Sequence, residues 1–278
     1  PWVVQKNGKY MYYATFNWYD YLFDHTQPTW DHDLSISGGN EKFNYLVSGN
    51  HYTKEGLYAQ NTDKYTTNNL NMKFGAQVKP WLSINGAARL FHSNYRSPGY
   101  DFEDGGNIPN YTFHAMPFVT PYNPDGSIVM YPADLRNVAL GKGRTAALAD
   151  PTNKHTIENL SLTLSNSLQL KLHKDLTFDA SYNINNYRRL YKDRTAANIY
   201  SDAVGVTKTT THYQKDTYRE RPYEYTYHNV DAYFTYEHSW NKEHNFKAVA
   251  GMNYEKYRLV DNIVEQFGLG SDQIDSFN

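Results

Sequence analysis

The sequence predicts an all-β protein, specifically an antiparallel transmembrane β-barrel of which the chain holds about eight strands. Three observations predict it. Aromatic residues make up 16% of the 278 residues, with 27 Tyr, a composition that suits pleated, half-buried surfaces and excludes a disordered chain. Apolar and polar residues alternate with period two over long segments. The connections between those segments are short at one end and long at the other, as in outer-membrane barrels. No run of eighteen apolar residues occurs, which excludes a transmembrane helix but not barrel strands, because these turn half their residues away from lipid.

The strands follow in four hairpins. Leu34 and Ile36 open the first, and a turn from Gly38 to Lys42, rich in Gly and Asn, leads to Phe43, Tyr45 and Val47. Leu70, Met72, Phe74, Ala76 and Val78 form the apolar stripe of the third strand. After Lys79-Pro80-Trp81 come Leu82, Ile84, Ala88 and Leu90, opposite Ser83, Asn85 and Arg89. The clearest segment runs from Leu160 to Leu172, where leucines at 160, 162, 164, 168, 170 and 172 interleave with Ser161, Thr163, Ser165, Ser167, Gln169 and Lys171. Successive side chains of a strand point to opposite faces, so leucines line one side and hydroxyls and amides the other. Past His173-Lys174-Asp175 the alternation resumes with Leu176, Phe178, Ala180, Tyr182 and Ile184. The last hairpin joins Val230, Ala232, Phe234 and Tyr236 to Phe246, Ala248, Ala250, Met252 and Tyr254. The long connections are 54–68, 91–157 and 187–226.

Alternation alone leaves a soluble sandwich or a lipocalin-type barrel open, since both bury an apolar stripe. Two features favour lipid. The strands run to ten or more residues, enough to cross a hydrocarbon layer when tilted. Their polar faces carry amides and hydroxyls with few Lys or Glu, which suits a hydrated lumen, and Trp81 and Trp240 sit at the short turns where an aromatic girdle meets headgroups. The expected lumen-facing residues are Asn71, Asn85, Arg89, Ser165, Gln169, Asp179 and Asn183.

The stretch from Asn17 to Gly56 resembles the junction between plug and first barrel strands in SusC-like TonB-dependent transporters of the Bacteroidetes outer membrane. Trp18-Tyr19-Asp20, Leu34-Ser35-Ile36-Ser37-Gly38-Gly39, Glu41-Lys42 before Tyr45, and Glu55-Gly56 stand in family order. Asn69-Leu70-Asn71, Trp81-Leu82 and the loop Tyr122-Asn123-Pro124-Asp125-Gly126-Ser127 extend the likeness, while Thr29-Trp30-Asp31-His32-Asp33 departs from the Asn-His usual before the first strand. The resemblance implies that 1–31 are the end of the plug and a linker, and that 32–278 are the N-terminal part of a twenty-two-strand barrel. It implies import of oligosaccharides or peptides across the bacterial outer membrane, a SusD-like surface lipoprotein as partner, and a TonB complex acting through a plug that is not in this sequence. No signal-peptide pattern follows Pro1, so a leader is expected to have been processed away or to belong to a longer sequence.

Other chemistry finds little support. A net charge of −2 gives no electrostatic footprint for nucleic acid, and zero Cys excludes disulfides, thiol nucleophiles and zinc-thiolate sites. No HExxH or Gly-x-Ser-x-Gly pattern occurs, so no catalytic residue, metal site or cofactor is expected. His25 with His32, or His238 with His244, are better read as solvated or hydrogen-bonded loop residues than as metal ligands. Tyr100, Asp101, Phe102, Glu103 and Asp104 precede two glycines without the spacing of an EF-hand. Together with Tyr111, Phe113, Tyr122, Asp125 and Tyr131 they mix aromatic rings with carboxylates and amides, which fits either a carbohydrate site or a surface for the lipoprotein partner. The run from Arg188 to Arg194 and the tyrosines from Tyr218 to Tyr227 read as a rim facing headgroups or water. Two alternatives stay open: a small self-contained barrel acting as an adhesin or hydrolase, and a secreted carbohydrate-binding β-sandwich.

Overall fold

The computed structural model describes residues 2–4, 8, 10–12, 15–98, 117, 120–129, 151–196, 199–203, 206–209, 216–241 and 243–269. Its elements are β1 (Trp2–Val4), β2 (Tyr10–Tyr12), α1 (Trp18–Leu22), β3 (Thr29–Asn40), β4 (Phe43–Glu55), β5 (Lys64–Lys79), β6 (Leu82–Pro98) and β7 (Ile128–Val129). There follow β8 (Lys154–His173), β9 (Leu176–Thr195), β10 (Ile199–Ala203), β11 (Val206–Thr209), β12 (Thr217–Trp240), β13 (His244–Asp261) and β14 (Val264–Phe267). One antiparallel sheet runs in the order β13-β12-β9-β8-β6-β5-β4-β3, so strands adjacent in sequence are adjacent in space except where small elements intervene. This is the all-β, partial-barrel architecture that the alternation predicts.

A ninth strand, β14, also pairs with β12, in the register of β13: Tyr223 faces Asp261 and Glu220 faces Val264. Strands β13 and β14 are therefore one column, interrupted beside Pro222, which has no N–H to give to a ladder. The Asn262 N–H donates to the Pro222 carbonyl at 3.2 Å and carries the chain across the break. The sheet thus has eight columns.

The strands reach further outward than the alternation does. The connection expected at 54–68 contracts to the residues between Glu55 and Lys64, that at 91–157 begins after Pro98 and ends before Lys154, and that at 187–226 lies between Thr195 and Thr217. Strands β8 and β9 have 20 residues each and β12 has 24. The outer parts of these strands carry charged residues, amides and tyrosines in place of an aliphatic stripe, so aliphatic periodicity is silent there while the backbone ladder continues. Cross-strand ion pairs reinforce it, with Arg188 to Glu224 at 2.8 Å and Lys192 to Glu220 at 3.2 Å.

The short turns step in one direction. Phe43, beside the first turn, pairs with Ala76, yet β5 continues to Lys79. Leu82 pairs with Leu170 while β8 continues to His173, and Leu176 pairs with Tyr236 while β12 continues to Trp240. Backbone hydrogen bonds fix the steps, from Gln77 to Lys42 at 2.7 Å, Lys171 to Trp81 at 2.8 Å and Glu237 to Asp175 at 2.9 Å. An advance of about three residues per hairpin is roughly 10 Å along the strand for roughly 10 Å across two strand spacings, a tilt of about 45°. Constant stagger in one sense is the shear that closes a barrel.

Among the described residues the sheet is a single layer. Leu34 is 70% exposed and Met252 62%, and no second sheet covers them. The one compact apolar cluster joins Trp18 and Leu22 of α1 to Val129, with Phe16, Tyr21 and Phe23 around them. It sits at the long-connection end, where Ala59 N–H donates to the Leu22 carbonyl at 2.9 Å and Asp24 N–H to that of Leu57 at 2.7 Å.

Candidate functional site: the polar face of the sheet

The register puts Asn71, Asn85, Arg89, Ser165, Gln169, Asp179 and Asn183 on one face, because each pairs directly with a member of the same phase on the next strand. They form a lattice of cross-strand bonds. Arg89 Nε donates to Asn71 Oδ1 at 3.1 Å, Asn85 Nδ2 to Ser167 Oγ at 3.4 Å, Gln169 Nε2 to Asp179 Oδ1 at 2.8 Å and Asn183 Nδ2 to Asn229 Oδ1 at 3.1 Å. Asp231 extends the lattice, accepting from Ser181 Oγ at 3.2 Å and from Asn253 Nδ2 at 2.7 Å.

A hollow of about 750 Å³ lies on this face, lined by residues from Ser83 on β6 through Asp179 and Asp231 to Asn253 on β13. In a flat sheet those outer strands would stand roughly 19 Å apart. One hollow bounded by all five strands requires the sheet to curl with its polar face inward. Asp179 and Asp231 give the hollow its charge, and no Lys or Arg among the described residues lines it.

The opposite face is apolar over about ten residues per strand. Leu162 pairs with Leu90, Leu164 with Ala88 and Ile184, and Phe178 with Phe234, whose ring centroids are 4.8 Å apart. Trp240 closes the turn end, its ring 4.6 Å from His238 and 6.5 Å from Phe246. At the outer edge of the stripe His32, His51, Asn68 and His92 stand in register across β3 to β6, where polarity replaces leucine.

A set of rings on the polar face went unread in the sequence. Tyr52, Tyr65, Tyr95, His155 and Tyr191 cross β4, β5, β6, β8 and β9 with successive centroid separations of 6.4, 6.5, 6.3 and 4.4 Å. Further along, Tyr187 lies 5.4 Å from Tyr225 and 6.1 Å from Tyr223, and Tyr225 lies 5.8 Å from Tyr257. Of the two readings of the tyrosines between 218 and 227, a rim facing headgroups or one facing water, the register excludes the headgroup-facing one for Tyr223, Tyr225 and Tyr227. They alternate on β12 in the phase of Asn229 and Asp231 and belong to the concave face. Tyr at every second position is their sequence signal, but Tyr223 and Tyr225 fall within the connection expected at 187–226.

Of the expected loop residues, Tyr100, Asp101, Phe102, Glu103, Asp104 and Tyr111 lie outside the described residues, as do Phe113 and Tyr131. Tyr122 packs beside α1, where burial and a hydrogen bond between the two phenols push the Tyr21 hydroxyl far above its ordinary pKa. Asp125 closes a turn. Its Oδ1 accepts from Ser127 N at 3.0 Å and Ser127 Oγ at 2.6 Å, with Gly126 at φ 84° completing the bend. Asn123 in the same turn is buried and donates from Nδ2 to the Ser201 carbonyl at 2.8 Å, tying this segment to β10. Nearby, burial and the Asp63 carboxylate push the Tyr58 phenol up to about 12. His25 lies 3.4 Å from Asp20, and His238 Nδ1 3.0 Å from Asp175. No group of three potential metal ligands occurs among the described residues.

This fold is similar to that of solved transporters. A chain in the structure of the RagAB peptide transporter matches at 19% identity with a TM-score of 0.64. Chains of the RagAB peptide importer in its "closed-closed" and "open-open" states match at 18% and 20% identity, with TM-scores of 0.64 and 0.65. The matches cover 94–95% of this chain and 28% of each of those chains, so the chain spans little more than a quarter of their length. At such identity the likeness is one of fold. No protein-family model matches the chain, and none of the curated proteins does.

Proposed function

We propose that this chain is the N-terminal part of the barrel of an outer-membrane active transporter, SusC-like in kind, that imports oligosaccharides or peptides. The observation that carries the reading is the pairing of an apolar face that no second layer covers among the described residues with a polar face that curls around a hollow. In hydrocarbon every backbone polar group must be paired within the protein, and a sheet with its polar side inward satisfies this only when closed. The edges of β3 and β13 therefore call for further strands. The match to little more than a quarter of the RagAB chains supports the same conclusion.

In this reading the apolar stripe contacts lipid, the lumenal amides and hydroxyls hydrate a solute in transit, and the long connections meet a SusD-like lipoprotein. A TonB complex acting on a plug supplies the energy. The residues do no covalent chemistry: their work is gated binding and release. A β-sandwich would need an opposing layer, and the described residues provide none. The experiment is isolation of the native polypeptide from outer membrane with its associated subunits. A mass several times 32.3 kDa, a co-purifying lipoprotein and solute uptake abolished by collapse of the proton gradient are expected. A native mass near 32.3 kDa with no partner contradicts the proposal.

A further inference from the structure

The concave face holds two polar atoms that hydration of a lumen does not explain. Arg189 Nε and Asn185 Oδ1 are both buried and have no hydrogen-bond partner among the described residues. They lie on β9 in the same phase, with Tyr187 between them. The Arg189 guanidinium is held 5.1 Å over the Tyr223 ring, and Asp261, a carboxylate that feels its charge, is already engaged. Asp261 gives one oxygen to Arg221 Nε at 2.9 Å and the other to the Arg221 terminal nitrogen at 2.6 Å. Asn185 uses its Nδ2 on the Tyr225 hydroxyl at 3.3 Å and leaves its oxygen idle, while Tyr187 donates to Asn159 Oδ1 at 2.7 Å. Buried donors and acceptors left unmade are costly, and each calls for an explanation.

We infer that Arg189, Asn185 and the rings of Tyr187, Tyr223 and Tyr225 form a docking station for a solute that carries a carboxylate beside a flat apolar group. This inference rests on the transporter reading and deepens it. A planar guanidinium fixed by a ring below it presents its donors to a carboxylate in a preformed fork. The Tyr187 and Tyr225 rings offer apolar faces beside it at little entropic cost, since Tyr has few rotatable bonds. Asn185 Oδ1 then accepts an N–H or O–H of the same solute roughly 13 Å along the strand from Arg189, the reach of a short oligomer. The station lies outward of the acidic hollow at Asp179 and Asp231, so an entering solute meets the cation before the carboxylates. A peptide with a free C-terminus and an oligosaccharide containing uronic acid share this chemistry.

The test is calorimetric titration of the full-length transporter, purified with its partners in detergent. The probes are the tetrapeptide Ala-Leu-Phe-Ala, its C-terminal amide, and trigalacturonate. At least one of the two acids is expected to bind, the peptide acid at least about tenfold tighter than the amide if peptides are the source. Arg189→Gln should weaken acid binding by a similar factor, Arg189→Lys should restore part of it, and Tyr187→Ala should weaken whichever acid binds. If Arg189→Gln does not fold, Tyr223→Leu, which removes the ring under the guanidinium, makes the same comparison. Equal binding of acid and amide where the peptide acid binds, binding of neither acid, or acid binding unchanged in Arg189→Gln or Tyr223→Leu overturns the inference. Energy-dependent uptake, measured separately in cells, tests the transporter reading, so the two can fail independently.

Discussion

Leu164 and Ser165 are neighbours in sequence that meet different surroundings. Leu164 sits between Ala88 and Ile184 on the apolar face, while Ser165 sits between Ala87 and Asn183 on the concave one. Replacing Leu164 by Arg is expected to cost about 2–4 kcal/mol in bilayer folding, whereas Ser165→Arg is tolerated because water reaches it. Urea titration of the two variants refolded into liposomes checks this, and equal effects count against the assigned faces. Gly39 makes a second residue-level case. A Cβ there would stand 2.4 Å from the Phe43 carbonyl oxygen and 2.7 Å from the Asn44 Cα, both backbone atoms that cannot step aside. Gly39→Ala should therefore destabilise the first hairpin by about 1–3 kcal/mol, read as a lower urea midpoint. The phase of residues such as Leu164 and Ser165 was legible because alternation is a local signal. The orphaned atoms of Asn185 and Arg189 were not, since they follow from what β12 and β13 fail to supply across the sheet.

Among elements, the ends of the strands depend on polar clasps that a periodicity argument does not see. Arg194 is 1% exposed, with its guanidinium 2.7 Å from Asp216 and donating to the Thr195 carbonyl at 2.6 Å. Removing one partner of a buried pair strands the other, so Arg194→Ala should cost about 3–5 kcal/mol and expose the connection after β9 to protease. Such clasps explain why β8, β9 and β12 outrun their predicted lengths: alternation ends where the apolar stripe ends, but the hydrogen-bond ladder does not. The α1 cluster follows a different logic. A phenol whose pKa is raised on folding stabilises the folded state fully below its unfolded value near 10 and loses that contribution as pH rises toward the folded value. For Tyr58, pushed up to about 12, the loss falls between pH 10 and 12. Hydrogen exchange at Asp24 and Ala59 across that window should rise before exchange in β8 and β9 does. Nothing in the sequence announced this cluster as a unit, because its parts, α1, Tyr58 and Tyr122, are far apart along the chain.

For the whole molecule, tilt and open edges decide the account. Eight staggered columns curl toward closure, yet among the described residues β3 and β13 each present an unpaired ladder of backbone groups. Long exposed edges template aggregation in water and are forbidden in hydrocarbon. These 278 residues expressed alone are therefore expected to aggregate, and the longer polypeptide that the proposed transporter requires is expected to insert as a heat-resistant barrel. The number of columns and the asymmetry of the connections were legible in sequence. Curvature was not, because it arises from register between strands that only pairing reveals.

In the proposed transporter the leucine face meets lipid and the amide face meets enclosed water. The absence of cysteine from these residues makes it directly measurable. Single cysteines at positions 164 and 165 of the full-length protein, in an otherwise cysteine-free background, would be challenged in native outer membrane with a membrane-impermeant maleimide. Ser165→Cys should be labelled and Leu164→Cys protected until the membrane is dissolved and the protein unfolded. Labelling of Leu164→Cys in intact membrane, with Ser165→Cys protected, would contradict the account.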